Sequence, residues 1–206
     1  MTRLPLCLVI DVSGSMSGPP IEQLNKGLEQ MLAELCANPL VTSALELAVV
    51  KFGGSVQVLQ TFDKVTDMRL PRLHAGGSSP MGEAVRLALQ MLENRTKLYS
   101  SIGIDYYRPW LIVMTDGAPT DSIDEAAQQM NVWEKDGKIN VFAIGTGEHA
   151  DMDALRKISS KRTPLLMQEL KFEQFFGWLS ESITRISTSL PGQEIVLPSV
   201  DGWRNM

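Results

Sequence analysis

Three short runs of consecutive apolar residues stand out: Cys7-Leu8-Val9-Ile10, Trp110-Leu111-Ile112-Val113-Met114 and Val141-Phe142-Ala143-Ile144. Each is too short for an ordinary helix and lacks polar alternation, the pattern of strands covered on both faces of a parallel sheet. A fourth run over residues 45–52 is followed by Gly53-Gly54 and a further strand-like segment over 55–62. A glycine pair between two such segments predicts a tight hairpin, and hence one antiparallel edge strand.

Between these runs the apolar positions recur at helical spacing. Ile21, Leu24, Leu28, Met31, Leu32 and Leu35 share one face of a helix opened by Pro19-Pro20 and closed at Asn38-Pro39. A second stripe uses Met81, Ala84, Val85, Ala88, Met91 and Leu92, and a third uses Ile123, Ala126, Ala127, Met130 and Trp133 before Gly137. Ser122 and Glu125 are spaced as a capping box at the start of the third. A short helix is expected over 151–158, a strand over 165–167, and a last amphipathic helix carrying Phe172, Phe175, Phe176, Leu179, Ile183 and Ile186. Its aromatics read as core rather than as a cofactor site.

Strands alternating with helices, without repeats or low-complexity linkers, predict an α/β fold. The expected architecture is a Rossmann-like three-layer sandwich, its central sheet mostly parallel with one antiparallel edge strand. Residues 1–189 are expected to form one domain, and 190–206, which carry Pro191, Gly192, Pro198 and Gly202 without periodicity, a tail.

Composition narrows the possible partners. The 206 residues are 44% hydrophobic and 21% charged, enough for a substantial core, and the formal net charge of −5 leaves no cationic surplus for nucleic acid or an anionic membrane. No export signal and no membrane-length apolar run is read, so a cytoplasmic location is expected. Cys7 and Cys36 fall in an apolar strand and an apolar helix, which predicts core packing rather than a disulfide or a metal pair.

In an open parallel sheet, ligands bind beyond the carboxyl ends of the strands, where the strand order reverses. The first strand ends in Asp11-Val12-Ser13-Gly14-Ser15, and the strand over 110–114 ends in Thr115-Asp116-Gly117. If these strands are neighbours, two carboxylates face one crevice. The loop Gly76-Gly77-Ser78-Ser79-Pro80-Met81-Gly82 adds hydroxyls and a flexible backbone. Carboxylates and hydroxyls without histidine or cysteine make a hard site of limited charge, suited to Mg2+, with Mn2+ or Ca2+ as alternatives, rather than to zinc. Asp121, also in this run, suits a helix cap better than a ligand.

The order of these motifs resembles the von Willebrand factor A (vWA) family. Its metal-ion-dependent adhesion site is built from Asp-x-Ser-x-Ser, a threonine in a glycine-rich loop and a later aspartate. The resemblance covers residues 4 to about 188 and implies Asp11, Ser13, Ser15 and Asp116 as metal ligands, with Ser79 in place of the threonine; Ser78 is the alternative. It further implies an adhesion module rather than an enzyme, docking a partner protein's Asp or Glu on the cation. Tyr106-Tyr107-Arg108-Pro109-Trp110 and Thr115-Asp116-Gly117-Ala118-Pro119-Thr120-Asp121 resemble the bacterial stand-alone A domains of the tellurite-resistance TerY type. That likeness implies a cytoplasmic role in tellurite and stress resistance, with a kinase or a PP2C-type phosphatase as partner.

Two other readings compete. A strand-end aspartate beside magnesium is also how aspartyl-phosphate phosphohydrolases place their nucleophile, but Ser13 stands where they carry a second aspartate as acid and base. His74 and His149 lie in loop-like stretches with no evident serine or cysteine partner, giving a hydrolytic triad little support. The domain could also be a scaffold with a vestigial metal site, using another surface such as the tail around Trp203.

Overall fold

The computed structural model describes residues 2–167, 171–189 and 197–198. The elements, in chain order, are β1 (Leu4–Asp11), α1 (Pro19–Ala37), α2 (Pro39–Ala44), β2 (Leu45–Gly53), β3 (Ser55–Lys64), α3 (Met81–Ser101), β4 (Trp110–Thr115), α4 (Asp124–Lys135), β5 (Asn140–Thr146), α5 (Met152–Ile158), β6 (Leu165–Met167) and α6 (Phe172–Ser187). The six strands form one sheet in the order β3-β2-β1-β4-β5-β6. Every neighbouring pair is parallel except β2 with β3, joined through the Gly53-Gly54 hairpin.

Strand side chains alternate between the two faces of the sheet, and the core divides accordingly. Leu4, Leu6, Leu8 and Ile10 of β1, with Trp110, Ile112 and Met114 of β4, pack under α1 and α6. Cys7, Val9, Leu111 and Val113 pack on the other side under α3, α4 and α5. The central strands are buried along their whole length, which is why their sequences show no polar alternation.

The helices match their expected stripes, with Leu32, Met91 and Trp133 only partly buried at the margins. The short α2 was not expected; Asn38 ends α1 and starts α2, its side chain accepting from the Leu40 N–H at 3.0 Å. The Ser122/Glu125 capping box does not form. The helix begins at Asp124, one residue too late for Ser122 to be its cap, and Glu125 points instead to Arg86 at 3.8 Å. Cys7 is buried, and burial alone pushes its thiol well above the ordinary range. Cys36 departs from expectation: it is exposed. One helical step of about 100° past buried Leu35 takes it off the apolar stripe, with its sulfur 3.4 Å from the Val65 carbonyl oxygen.

The tail lies mostly outside the described residues, Trp203 included. Its described pair is packed: Leu197 rests against the core, and the Trp178 indole donates to the Pro198 carbonyl at 2.9 Å.

Candidate metal centre

The strand order reverses between β1 and β4, opening a crevice at their carboxyl ends. Asp11 is the last residue of β1, Ser13 and Ser15 lie in and beside a single 3-10 turn (Gly14–Met16), and Asp116 directly follows β4. Ser79 precedes α3 by two residues.

A continuous set of hydrogen bonds joins all five. The Asp11 carboxylate accepts from the Ser13 N–H at 2.7 Å through one oxygen, and from the Ser79 hydroxyl at 3.1 Å through the other. The Ser13 and Ser15 hydroxyls lie 3.1 Å apart, and Ser15 donates to Asp116 at 2.7 Å. Asp11 is 1% exposed, Ser13 and Ser79 are also buried, while Ser15 is exposed and Asp116 half-buried. Of the two loop serines, Ser79 reaches Asp11; exposed Ser78 instead offers its carbonyl oxygen to the Gly54 N–H at 2.8 Å.

The loops hold one another through their backbones. Gly76 N–H donates to Val12 O at 2.8 Å, and Gly14 N–H to Gly77 O at 3.0 Å. The tip of the β2–β3 hairpin lies directly against the glycine loop. Gly77 has φ +77°, and a Cβ there would lie 2.4 Å from the Gly54 Cα. Gly77→Ala therefore combines a left-handed strain with a backbone collision and is expected to cost roughly 2–4 kcal/mol. Urea denaturation measures this, and a loss under about 1 kcal/mol would mean that the hairpin tip yields freely.

Sequence reasoning left out three further residues of this neighbourhood. Thr115 is buried and donates to the second Asp11 oxygen at 2.5 Å. The parallel register that sets Ile10 beside Met114 brings the next residues, Asp11 and Thr115, level, so strand pairing could have revealed the contact. Thr120 and Asp121 meet the start of α3. The Thr120 hydroxyl accepts from Ser79 N–H at 3.1 Å, and Asp121 accepts from Gly82 N–H at 2.9 Å and Glu83 N–H at 2.7 Å. Asp121 thus caps a helix, though α3 rather than the α4 that follows it in sequence. Asp151 caps α5, accepting from Asp153 and Ala154.

The electrostatics bear on whether a cation would fit here. Partial burial raises the Asp116 carboxyl above its ordinary range, opposed by the Ser15 hydrogen bond and reinforced by the charge of Asp11. Among the described residues neither carboxylate is paired with a lysine or arginine. Two crowded carboxylates ringed by hydroxyl oxygens, with the charge of His149 the smallest of the influences on Asp116, fit a small hard dication. Among the described residues no group of three or more His, Cys, Asp and Glu side chains could hold a metal, so such an ion would depend on the serine hydroxyls. His74 and His149 are both exposed.

An open α/β sheet with an oxygen-lined cleft at its switch point is the class that fold and site define. The model of the von Willebrand factor type A domain matches residues 6–177, and the chain belongs to that family. Inter-alpha-trypsin inhibitor heavy chain H4 of Sus scrofa is 26% identical over 214 residues, covering 95% of this chain and 22% of that protein. The chain thus spans about a fifth of that relative's length. Two solved structures share the fold. Manganese-loaded TRAP protein of Plasmodium vivax superposes with a TM-score of 0.56 at 19% identity, over 84% of this chain and 73% of that one. Proximal thread matrix protein 1 from the mussel byssus, with a zinc-occupied MIDAS motif, gives 0.59 at 16% identity, over 89% and 48%.

Proposed function

We propose that this vWA domain, taken as residues 1–189 with 190–206 as a tail, is a non-catalytic interaction module that docks a partner protein's carboxylate on a bound divalent cation. The observation that carries this reading is the single hydrogen-bonded chain from Ser79 through Asp11, Ser13 and Ser15 to Asp116 at the sheet's switch point. Asp11 and Asp116 would supply charge, directly or through bound water, and Ser13, Ser15 and Ser79 neutral oxygens. When bound, the cation supplies an electrophilic contact for a partner Asp or Glu. Mg2+ is the proposed ion, and a set this poor in charge would leave a coordination position for the partner. The manganese and zinc in the two related structures support a dication.

Catalysis at this site finds little support. Asp11 has both oxygens engaged by donors and is 1% exposed, an unfavourable setting for a phosphate-attacking nucleophile, and Ser13 cannot act as its acid. Among the described residues no helix is long and apolar enough to cross a membrane. The likeness of Tyr106-Tyr107-Arg108-Pro109-Trp110 and of the segment 115–121 to tellurite-resistance domains supports a cytoplasmic stress-resistance role, with a kinase or PP2C-type phosphatase as partner.

Isothermal titration of Mg2+, then Mn2+, into chelator-treated protein tests the reading. Saturable binding of about one ion per chain is expected, followed by capture of a glutamate-containing peptide only in the metal's presence. No saturable binding of either ion would overturn it.

A further inference from the structure

The cleft's third loop does not hold its own shape. Residues 68–80 carry no helix or strand, and α3, which begins at Met81, has no cap from the residue before it: its N-cap position is Pro80, which makes no side-chain capping bond. The missing acceptor comes from the far side of the cleft. Asp121 places one carboxylate oxygen on Gly82 N–H and the other on Glu83 N–H, two of the amides that a helix N-terminus leaves without partners.

Next to it, Thr120 clasps Ser79 from both directions. Its hydroxyl accepts from Ser79 N–H at 3.1 Å, and its own N–H donates to Ser79 O at 2.8 Å. Thr120 thus engages both polar groups of the Ser79 backbone, sharing the carbonyl oxygen with the Met81 N–H at 2.9 Å, and the Ser79 hydroxyl is left to reach Asp11. The approach is as close as backbones permit. A Cβ on Gly82 would lie 2.1 Å from Ser122 O and 2.9 Å from an Asp121 oxygen. Because Thr120 and Asp121 lie four and five residues after Asp116, this strut locks the loop bearing Asp116 to the loop bearing Ser79.

We infer that Thr120 and Asp121 are positioning residues of the cation site, acting as a strut that aims the Ser79 hydroxyl and fixes its separation from Asp116. The inference rests on the proposed cation site for its consequence, but the strut itself can be observed without metal. Asp121 spends both of its oxygens on backbone amides of α3, whereas Asp11 gives one oxygen to an amide and the other to two hydroxyls, which can turn toward an ion. The strut works as outer-shell partners of metal ligands commonly do, by restricting ligands that touch the ion.

The test compares wild type with Asp121→Ala, Asp121→Asn, Thr120→Val and Gly82→Ala, each first checked for folding by circular dichroism. In metal-free protein, amide hydrogen exchange at Ser79, Gly82 and Glu83 is read against the rest of the chain. Loss of protection confined to Gly82 and Glu83 in Asp121→Ala, and to Ser79 in Thr120→Val, is expected. Mn2+ affinity should then weaken by about tenfold in both, the lower end for loss of an outer-shell partner. Asp121→Asn, which keeps one acceptor oxygen, should lie between wild type and Asp121→Ala. Gly82→Ala should match Asp121→Ala by forcing the loops apart.

Unchanged exchange at these amides would overturn the strut. Lost protection with unchanged Mn2+ affinity would leave Asp121 a plain helix cap and overturn the positioning role. Loss of Mn2+ binding in Asp121→Asn as complete as in Asp116→Ala would make Asp121 a ligand instead, also overturning it. Should wild type bind no cation, the proposed function fails and the positioning role with it, whereas the exchange pattern still decides whether the two loops are joined.

Discussion

Asp11→Ala is expected to weaken divalent-cation binding by more than about a hundredfold, beyond what loss of an outer-shell partner produces. Asp11 does two things at once. It carries half of the cleft's formal charge, and its two oxygens are the meeting point for the Ser13 amide and the Ser79 and Thr115 hydroxyls. Alanine removes the charge and the element that fixes the directions of three neighbours. The fold should survive at a cost of about 1–2 kcal/mol, because the two hydroxyls can rotate to other acceptors and only the amide is firmly directed. Relief of the repulsion that helps raise the Asp116 carboxyl acts in the same favourable direction. Titration calorimetry with a parallel urea denaturation reads both quantities. Near wild-type affinity in a folded Asp11→Ala protein would remove Asp11 from the site, and with it the proposed mode of docking.

The second large effect is expected at the opposite end of the sheet, where stability rather than binding is at stake. Glu46, the second residue of β2, lies in register with Pro5 of β1 and is almost fully buried. One of its oxygens accepts from Arg95 Nε at 2.6 Å, from Arg95 Nη2 and from the Tyr99 hydroxyl; the other faces Arg3 Nε at 3.6 Å. Burial, followed by the bond to Glu46, pushes the Tyr99 phenol above its ordinary range, so it remains a donor at any physiological pH. Arg3, which directly precedes β1, also donates to Ser43 O at 2.7 Å, which ties the start of the chain, α2, β2 and α3 into one polar knot.

Glu46→Ala leaves two guanidinium groups and a phenol around an empty position, and removing one partner of a buried ion pair costs about 3–5 kcal/mol. Because Arg3 and Arg95 keep roughly a fifth of their side-chain surface exposed, the lower figure of about 3 kcal/mol is expected. That is a large share of the 5–15 kcal/mol typical of a folded domain. Glu46→Gln, which keeps an acceptor and loses the charge, should fall between. Urea denaturation decides it. A loss below about 1 kcal/mol would place the network with ordinary surface pairs, and cation binding at the other end of the sheet should be unaffected in either variant.

The two ends of the molecule differ in how far the chain announces them. Asp11 and Asp116 could be singled out because each ends an apolar run, and a carboxylate at the end of a buried strand is conspicuous in any α/β pattern. Glu46 had no such mark. It sits at the start of a run, separated in sequence from Arg3 and Arg95, and only packing makes them neighbours. Thr115 escaped for a related reason: a threonine ending a strand is unremarkable until the parallel register sets it beside Asp11. The glycine loop was legible as flexible backbone, but not the tip of the β2–β3 hairpin that it presses against.

Local chemistry decided the alternation of strands and helices, the antiparallel edge, the helix stripes and the oxygen character of the strand ends. Each depends on residues within a few positions of one another, and their periodicity and backbone preferences act wherever the chain goes. Tertiary structure alone decided that Asp121 caps α3 instead of α4, that Ser122 and Glu125 form no capping box, and that Cys36 lies outside the core. In each case the outcome turned on contacts between segments tens of residues apart, which close only once the sheet has assembled.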